Sequence, residues 1–449
     1  MVGQWVWLLL IGVLGMSRGY AQVSSRAESV LGQYERAMAL YRASRYASAE
    51  EVFSQIVNRQ GGKGEAEEVR PEAAFFQALC VARLGRGDAP YQLQCFVEQY
   101  PASLRVEEAK YELGAWYYNA KKYKEALRWF ASVDEHAFDE EQRAEIAFKH
   151  AYSLFQLERF DEALPIFGRV KEQTSYYQAP ATYYYAHISY TRGHYSAALE
   201  HFRRIDADPS FAPLVPYYIA QILYKQEQYR ELAQYVRPLV DSVVSSRQSE
   251  MQRMLGEAYF RLEQYDSAHA VLSQYAERMG KNRLTRDDNY LLGLVYYKKG
   301  SWAEAAQYLE RVPTASDSVA QSAYYHLGDI YLHLGDTERA QKALGQASEL
   351  TYDARLQEDA LFNYAKLLYE HRYNPFSDAV SAFTRYLTLF PSSRRRDEAY
   401  TYLGMAFMGT QNYQGALDAL SKIGTANATT RRAYQRASYY RGVEYYQNL

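Results

Sequence analysis

Imidazole and carboxylate side chains at helical spacing can hold a metal ion or share a proton, and one stretch of this chain offers them. His326, Asp329 and His333 fall at i, i+3 and i+7, with Asp336 just beyond. On a helix the first three share a face, so they read either as metal ligands or as polar surface residues. His187, His194 and His201 also look periodic, but they belong to a helix, a turn and a returning helix and do not share a face. Cys80 and Cys95 can pair, closing a loop worth about 3 kcal/mol, or can remain two small thiols. Their spacing is neither that of a zinc site nor that of a redox dithiol. Arg86-Gly87-Asp88 is an integrin-type tripeptide, placed where a turn needs glycine. The chain has no nucleophile elbow, no phosphate-binding loop, no dinucleotide fingerprint and no HExxH. The expectation is a protein that is not an enzyme and has no cofactor.

Composition points the same way. Fifty-one basic residues stand against 53 acidic ones, a net charge of -2, which leaves no basic footprint for nucleic acid and no acidic tail. Tyrosine is the outlier, with 46 in 449 residues against 18 Phe and 5 Trp. Near the N-terminus, Trp5 to Met16 form an apolar run too short for a membrane span, and Gly19-Tyr20-Ala21 follow. Residues 1–21 therefore read as a secretory signal peptide cleaved after Ala21, although no Lys or Arg precedes the run. Nothing later resembles a membrane span. The mature chain is expected to be soluble and exported.

The elements that position these residues repeat. Residues 113–130 read LGAWYYNAKKYKEALRWF, 255–272 read LGEAYFRLEQYDSAHAVL, 292–309 read LGLVYYKKGSWAEAAQYL and 403–420 read LGMAFMGTQNYQGALDAL. Each has Leu-Gly, an aromatic three residues on, a turn aromatic, an Ala three further and a large apolar residue four beyond that. Aligned on the turn, the series runs Tyr46, Tyr123, Phe160, Tyr195, Tyr229, Tyr265, Trp302, Thr337 and Tyr413, with adjacent steps of 34 to 37. Two double-length gaps each hold one irregular repeat, which makes about eleven units. Apolar spacing before each turn is helical, so each unit is a helical hairpin and the fold is all-α. Nine before the turn sit small residues (Gly114, Ala151, Ala186, Ala220, Gly256, Gly293, Gly328, Gly404), and small residues follow it too (Ala126, Ala163, Ala198, Ala268, Ala305, Ala340, Ala416). Small against small is expected to let the two helices approach, with Phe130, Phe167, Phe202 and Leu309 filling the space between hairpins.

These residues resemble the tetratricopeptide repeat (TPR) family over roughly residues 29–449. The resemblance implies a right-handed α-solenoid, with first helices lining a concave groove and second helices on the convex side. Joints such as YPASLRVEEAKYELG (100–114) and FPSSRRRDEAYTYLG (390–404) are similar to those of exported bacterial envelope proteins of the family. That implies the periplasm of a Gram-negative bacterium and a scaffold that binds a protein or extended peptide in its groove. The family's carboxylate-clamp arrangement of Lys and Asn is not found.

Two aromatic series share a second face of the first helices. Five before the turn lie Tyr41, Tyr118, Phe155, Tyr190, Tyr224, Phe260 and Tyr297; twelve before it lie Tyr111, Phe148, Tyr183, Tyr217, Tyr290 and Tyr325. Phe362 and Tyr369 take these places in the tenth repeat. Family geometry turns this face toward the groove. Two readings stay open: rings that finish the core between repeats, or a groove surface for a peptide or, as the alternative, an envelope glycan stacked on a tyrosine ladder. The second and tenth repeats depart from the pattern at Gly85–Pro90 and Glu370–Pro375. At the other end, residues 431–449 match a first helix, with Gly442 at the small position and Tyr439 and Tyr446 at the ladder spacing. The solenoid is expected to run over residues 22–449 and to continue beyond Leu449 or meet a partner there.

Overall fold

The structure, a computed structural model, describes residues 29–59, 65–242, 247–370, 376–425 and 427–447. The expected signal peptide (residues 1–21) and the longer turn of the tenth repeat (371–375) lie outside the described residues. The described residues form helices and turns, arranged as helical hairpins in two compact units that divide after Phe211.

The first unit holds five hairpins: α1 (Val30–Arg42) with α2 (Tyr46–Val57), α3 (Glu65–Arg83) with α4 (Ala89–Gln99), α5 (Val106–Asn119) with α6 (Tyr123–Phe130), α7 (Glu140–Gln156) with α8 (Phe160–Val170), and α9 (Gln178–Thr191) with α10 (Tyr195–Arg204). The second unit holds six: α11 (Val215–Lys225) with α12 (Tyr229–Ser242), α13 (Gln248–Arg261) with α14 (Tyr265–Met279), α15 (Arg286–Lys298) with α16 (Trp302–Leu309), α17 (Ser318–His333) with α18 (Thr337–Glu349), α19 (Ala354–Glu370) with α20 (Phe376–Leu389), and α21 (Arg396–Gly409) with α22 (Tyr413–Ser421). A last helix, α23 (Ala428–Gln447), stands without a second helix among the described residues. Within each unit a helix packs on its sequence neighbours, and first helices also meet the next first helix, as α5 meets α7 and α17 meets α19. Contacts of this reach make a solenoid, in which each hairpin depends on its neighbours for a core.

Ten of the hairpins, all those whose turns are described, turn by the same backbone device. Two residues before the turn residue the chain enters the left-handed region, at Ser44, Lys121, Glu158, Gly193, Glu227, Glu263, Gly300, Gly335 and Gln411. The next amide then reaches back five residues to a helix carbonyl, as Lys122 N–H to Tyr117 and Gln264 N–H to Tyr259, which is the Schellman closure. Glycine suits this conformation best, yet six of the nine positions carry a side chain. The second repeat, which lacks a turn aromatic, uses the same device through Gly85 and Arg86. There Arg86 is tied to Asp88 at 3.0 Å and to Glu50 at 2.9 Å, so the tripeptide's own charges close its turn.

The small residue of the first helix has a partner different from the one expected. A Cβ placed on Gly114 would lie 2.6 Å from Phe130; on Gly256, 2.4 Å from Leu272; on Gly293, 2.5 Å from Leu309. Gly328 meets Leu344 at 2.5 Å and Gly404 meets Leu420 at 2.6 Å. In every case the partner lies sixteen residues on, in the second helix of the same hairpin. Small does not face small. The glycine is a socket for a large apolar knob, and Phe130 and Leu309 seat in their own hairpin while also joining the core shared with the next one, Phe130 with Ile146 and Leu309 with Ala323 and Leu327. Ala126, Ala268, Ala305, Ala340 and Ala416, one turn before the knob, are fully buried. Where Ala holds the socket, at Ala151, Ala186 and Ala220, the residues sixteen on are Phe167, Phe202 and Val236, also fully buried.

The two cysteines stand apart as free thiols, against the open expectation of a disulfide. Cys80 is buried in the core around Phe75 and Phe76, and burial pushes its thiol up to about 12, so it is inert. Cys95 sits on α4, partly exposed, beside Tyr91.

The socket generates a test. Gly293→Ala drives a Cβ against Leu309 Cγ and to 3.3 Å from the Leu309 backbone nitrogen. Overpacking of this kind costs about 1–3 kcal/mol, only partly offset by the roughly 1 kcal/mol helix preference of Ala over Gly. A lowered urea midpoint is expected; a midpoint equal to or above wild type would show that the socket is not tight.

Candidate interaction surface of the first helices

The thirteen aromatic residues singled out from the sequence are all at least half buried. Phe148, Tyr217 and Phe362 are buried, while Tyr111, Tyr118, Phe155, Tyr183, Tyr190, Tyr224, Tyr290, Tyr297, Tyr325 and Tyr369 are partly so. What decides their role is where the hydroxyls go.

In the first unit, Tyr111 Oη donates to Glu145 on α7 at 2.7 Å, and Lys149 Nζ donates back to Tyr111 at 3.0 Å. Tyr118 meets Tyr152 edge-on with ring centres 5.5 Å apart, and Phe155 meets His187 at 5.6 Å. In the second unit, Tyr290 donates to Ser322 at 2.8 Å, Tyr297 to Asp329 at 2.7 Å and Tyr325 to Asp359 at 2.6 Å. Tyr217 and Tyr224 are paired with Glu250 and Glu257 of α13. A single rule covers these contacts. A ring twelve before its turn reaches the residue fifteen before the next turn, and a ring five before reaches the residue eight before. Each partner thus lies three residues nearer the N-terminus than the ring's own counterpart. Phe362 and Tyr369, from the repeat with the longer turn, depart from the rule and both meet Tyr402.

These links are electrically consistent. Burial, followed by the neighbouring carboxylate, pushes the Tyr297 hydroxyl up to about 12 and raises those of Tyr111, Tyr224 and Tyr325 as well. Each therefore remains a proton donor. Burial also opposes charge on Glu145, but hydrogen bonds from Lys149 and Tyr111 outweigh it and hold that carboxyl below its ordinary value. Tyr183 stacks on Phe211 at 5.2 Å, and Tyr190 lies tilted against Tyr195 at 5.8 Å.

The histidine stretch does not converge. His326 is turned inward, its Nδ1 2.7 Å from the Ser322 carbonyl and its ring edge-on to Tyr297, and burial lowers its proton affinity. His333 stacks on Trp302 with centres 4.1 Å apart and lies 3.7 Å from Asp329, which already accepts from Tyr297. Asp336 instead caps α18 through the Arg339 amide. Among the described residues no three His, Cys, Asp or Glu side chains gather as metal ligands.

What the sequence did not reveal is a cavity on the second unit. About 530 Å3 opens between α11 and α13, floored by Met254 and by Tyr275 and Met279 of α14. Tyr217, Gln221, Tyr224 and Lys225 line one side, and Ser249, Glu250 and Arg253 the other. Arg253 is anchored at 2.7 Å to Asp288, which also accepts from Tyr275 and Thr285. The wall is therefore fixed, while Lys225 and Glu250 stand exposed at its rim. Its volume falls in the range of about 300–1,000 Å3 usual for ligand sites. Apolar floor and mixed-charge rim suit a side chain with a polar backbone beside it, a short extended segment.

The hydroxyl ties generate a test. Tyr325→Phe removes the donor to Asp359 while leaving the ring in place; Asp359 keeps Arg395 at 2.6 Å. A hydrogen bond to a charged group is worth about 1.5–3 kcal/mol and less where half exposed, so a loss near 1 kcal/mol in urea unfolding is expected. An unchanged midpoint would mean that the hydroxyl is not a structural tie.

Comparison with known proteins agrees with the repeat pattern. The sequence profile of the tetratricopeptide repeat matches residues 34–89, 148–212, 253–320 and 290–354. Among solved structures, YrrB, described as a TPR protein with an unusual peptide-binding site, is 19% identical over 41% of this chain and 91% of its own, with a TM-score of 0.34. The C-terminal part of a TPR repeat-containing protein from Cytophaga hutchinsonii is 17% identical over 56% of this chain and 98% of its own, with a TM-score of 0.41. MamA is 19% identical over 41% and 97%, with a TM-score of 0.33. No curated protein matches. Similarity to these three structures is too low to carry an argument; the profile match and the repeated socket, turn and knob residues carry it instead, and they make this chain a member of the tetratricopeptide repeat family.

Proposed function

We propose that this chain is a non-enzymatic scaffold that holds a short extended peptide segment on the first-helix face of its second unit. The observation behind this is the cavity between α11 and α13, with an apolar floor and the charged rim of Lys225 and Glu250. An apolar side chain of the segment enters against Met254 and Met279, and a carboxylate of the segment meets Lys225. Among the described residues no helix is long and apolar enough to cross a membrane. Residues 1–21 are proposed to direct export to the periplasm of a Gram-negative host, and the scaffold is proposed to serve a cell-envelope assembly there. Edman sequencing of protein secreted by a Gram-negative host should begin at Gln22; a start at Met1 would remove the export reading.

The alternative, a glycan surface on the tyrosine rows, has less support. Sugars stack on open ring faces, whereas Tyr118 and Tyr190 face neighbouring rings and Tyr111, Tyr290, Tyr297 and Tyr325 have committed hydroxyls.

Selection of a random dodecapeptide display library on residues 22–449 tests the peptide reading. Enriched peptides should combine an apolar residue with a carboxylate. Lys225→Glu and Ser249→Trp, which reverse the rim charge and fill the cavity, should each weaken the selected peptide at least tenfold with an unchanged unfolding midpoint. No enrichment, or enrichment indifferent to both substitutions, would sink it.

A further inference from the structure

A second cation lines the α11–α13 cavity, held in a different way from Lys225 at the rim. Arg253 donates its Nε to Asp288 Oδ1 at 2.7 Å. Asp288 is 2% exposed and is fixed by three more donors: Tyr275 Oη at 3.1 Å, the Thr285 amide at 2.9 Å and Thr285 Oγ1 at 2.7 Å. The bond to Asp288 engages Nε alone. Among the described residues Nη1 and Nη2 of Arg253 donate to nothing, although the side chain lines the cavity and is 30% exposed. The acids on the same helix are engaged elsewhere, Glu250 by Arg247 at 3.4 Å and Glu257 by Arg261 at 3.5 Å. Two coplanar N–H groups on an anchored guanidinium make a fork for a carboxylate, a geometry that a lysine does not offer.

The apolar part of the cavity is equally particular. It is made of the rings of Tyr217, Tyr224 and Tyr275 and the thioethers of Met254 and Met279, with no Leu, Ile, Val or Phe among the described lining residues. Tyrosine rings favour a further ring set offset or edge-on, and thioether sulfur makes favourable contacts with ring edges. An aromatic side chain therefore gains more here than an aliphatic one. Met254 follows Arg253 directly in α13, and Tyr275 both lines the cavity and donates to the carboxylate behind Arg253. The ring site and the fork thus lie side by side, within reach of adjacent residues of one extended segment. Lys225 and Arg253 stand on opposite walls, so acids flanking the ring satisfy both, whereas a chain end brings one carboxylate.

We propose that Arg253 is the specificity-determining residue of this cavity: its fork chelates the side-chain carboxylate of an Asp or Glu that adjoins an aromatic anchor seated on the tyrosines and methionines. The inference rests on the peptide reading above and narrows it, from an apolar residue with a carboxylate at Lys225 to an aromatic–acidic pair read by Arg253. Lys225 attracts at the mouth, and Arg253 selects within.

The probe is the acetylated and amidated heptapeptide Gly-Ser-Glu-Phe-Glu-Ser-Gly, titrated by NMR into residues 22–449 carrying isotope-labelled methionine methyl groups. Saturable ring-current shifts of the Met254 and Met279 methyl signals are expected. Glutamine in place of both glutamates should weaken binding at least tenfold, and leucine in place of phenylalanine at least threefold. Both of these arms use the unaltered protein. Arg253→Lys, which keeps the charge and loses the fork, should weaken the glutamate peptide at least fivefold and leave the glutamine peptide unchanged. The same coupling should persist in Lys225→Gln. Equal binding of the glutamate and glutamine peptides, or equal loss of both on Arg253→Lys, would overturn the inference. Coupling to Lys225 alone, or enrichment of aliphatic anchors from the display library, would overturn it and leave the peptide reading intact. Binding that requires an unblocked C-terminus would overturn it as well, since the carboxylate would then be the chain end. No binding of any peptide, selected or synthetic, removes both.

Discussion

Everything in this fold leans on one contact, a large apolar side chain pressed into the place where a Cβ is missing or minimal. That contact sets how closely the two helices of a hairpin approach, and the approach decides which residues remain to face the next hairpin. The knob comes sixteen residues after the socket because one helix must finish, turn through a left-handed residue and restart before its fourth turn-facing position is reached. A fixed interval of this kind ties turn length to packing. An added residue in the turn would swing the knob about 100° away from the socket. The constraint is local, so it can be met independently in each repeat, which is how Gly with Leu, Gly with Phe and Ala with Phe coexist in one chain.

A second layer of organisation is laid over the sockets. Tyrosine is well suited to a half-buried seam between repeats, since its ring adds apolar area and its hydroxyl finds an acceptor on the adjacent helix. At Phe155 the ring lies against His187, and the register position offers no carboxylate. Part of the abundance of tyrosine in the composition is thus a consequence of repeats that join through hydrogen bonds as well as through apolar burial.

The repeat period, the helical hairpins, the all-α class and the turn aromatics were legible in the sequence because each is a local pattern with a strict interval. The left-handed turn residue was partly legible, at Gly193, Gly300 and Gly335, and hidden where Glu263 or Gln411 holds the same conformation. The socket was seen as a small residue but assigned to the wrong partner, since interval alone cannot tell which of Ala305 and Leu309 points at Gly293. The hydroxyl partners were not legible at all. Tyr325 and Asp359 are 34 residues apart, and only the stagger of α17 against α19 brings them to 2.6 Å. For the same reason the cavity escaped notice: Tyr217, Arg253 and Met279 have no common interval and meet only in three dimensions.

The three-residue offset between a tyrosine and its partner makes the serial order of hairpins a chemical matter. A backbone cut that removed α17 and α18 would leave the remaining helices in phase as far as sockets and turns are concerned. By the same offset Tyr290 would then face Asp359, an acceptor as good as Ser322, but Tyr297 would face Lys366, which donates to a hydroxyl and cannot accept from it, so the carboxylate tie would be lost. Hairpins that look interchangeable in outline are therefore words in a sentence, each agreeing with the one before it.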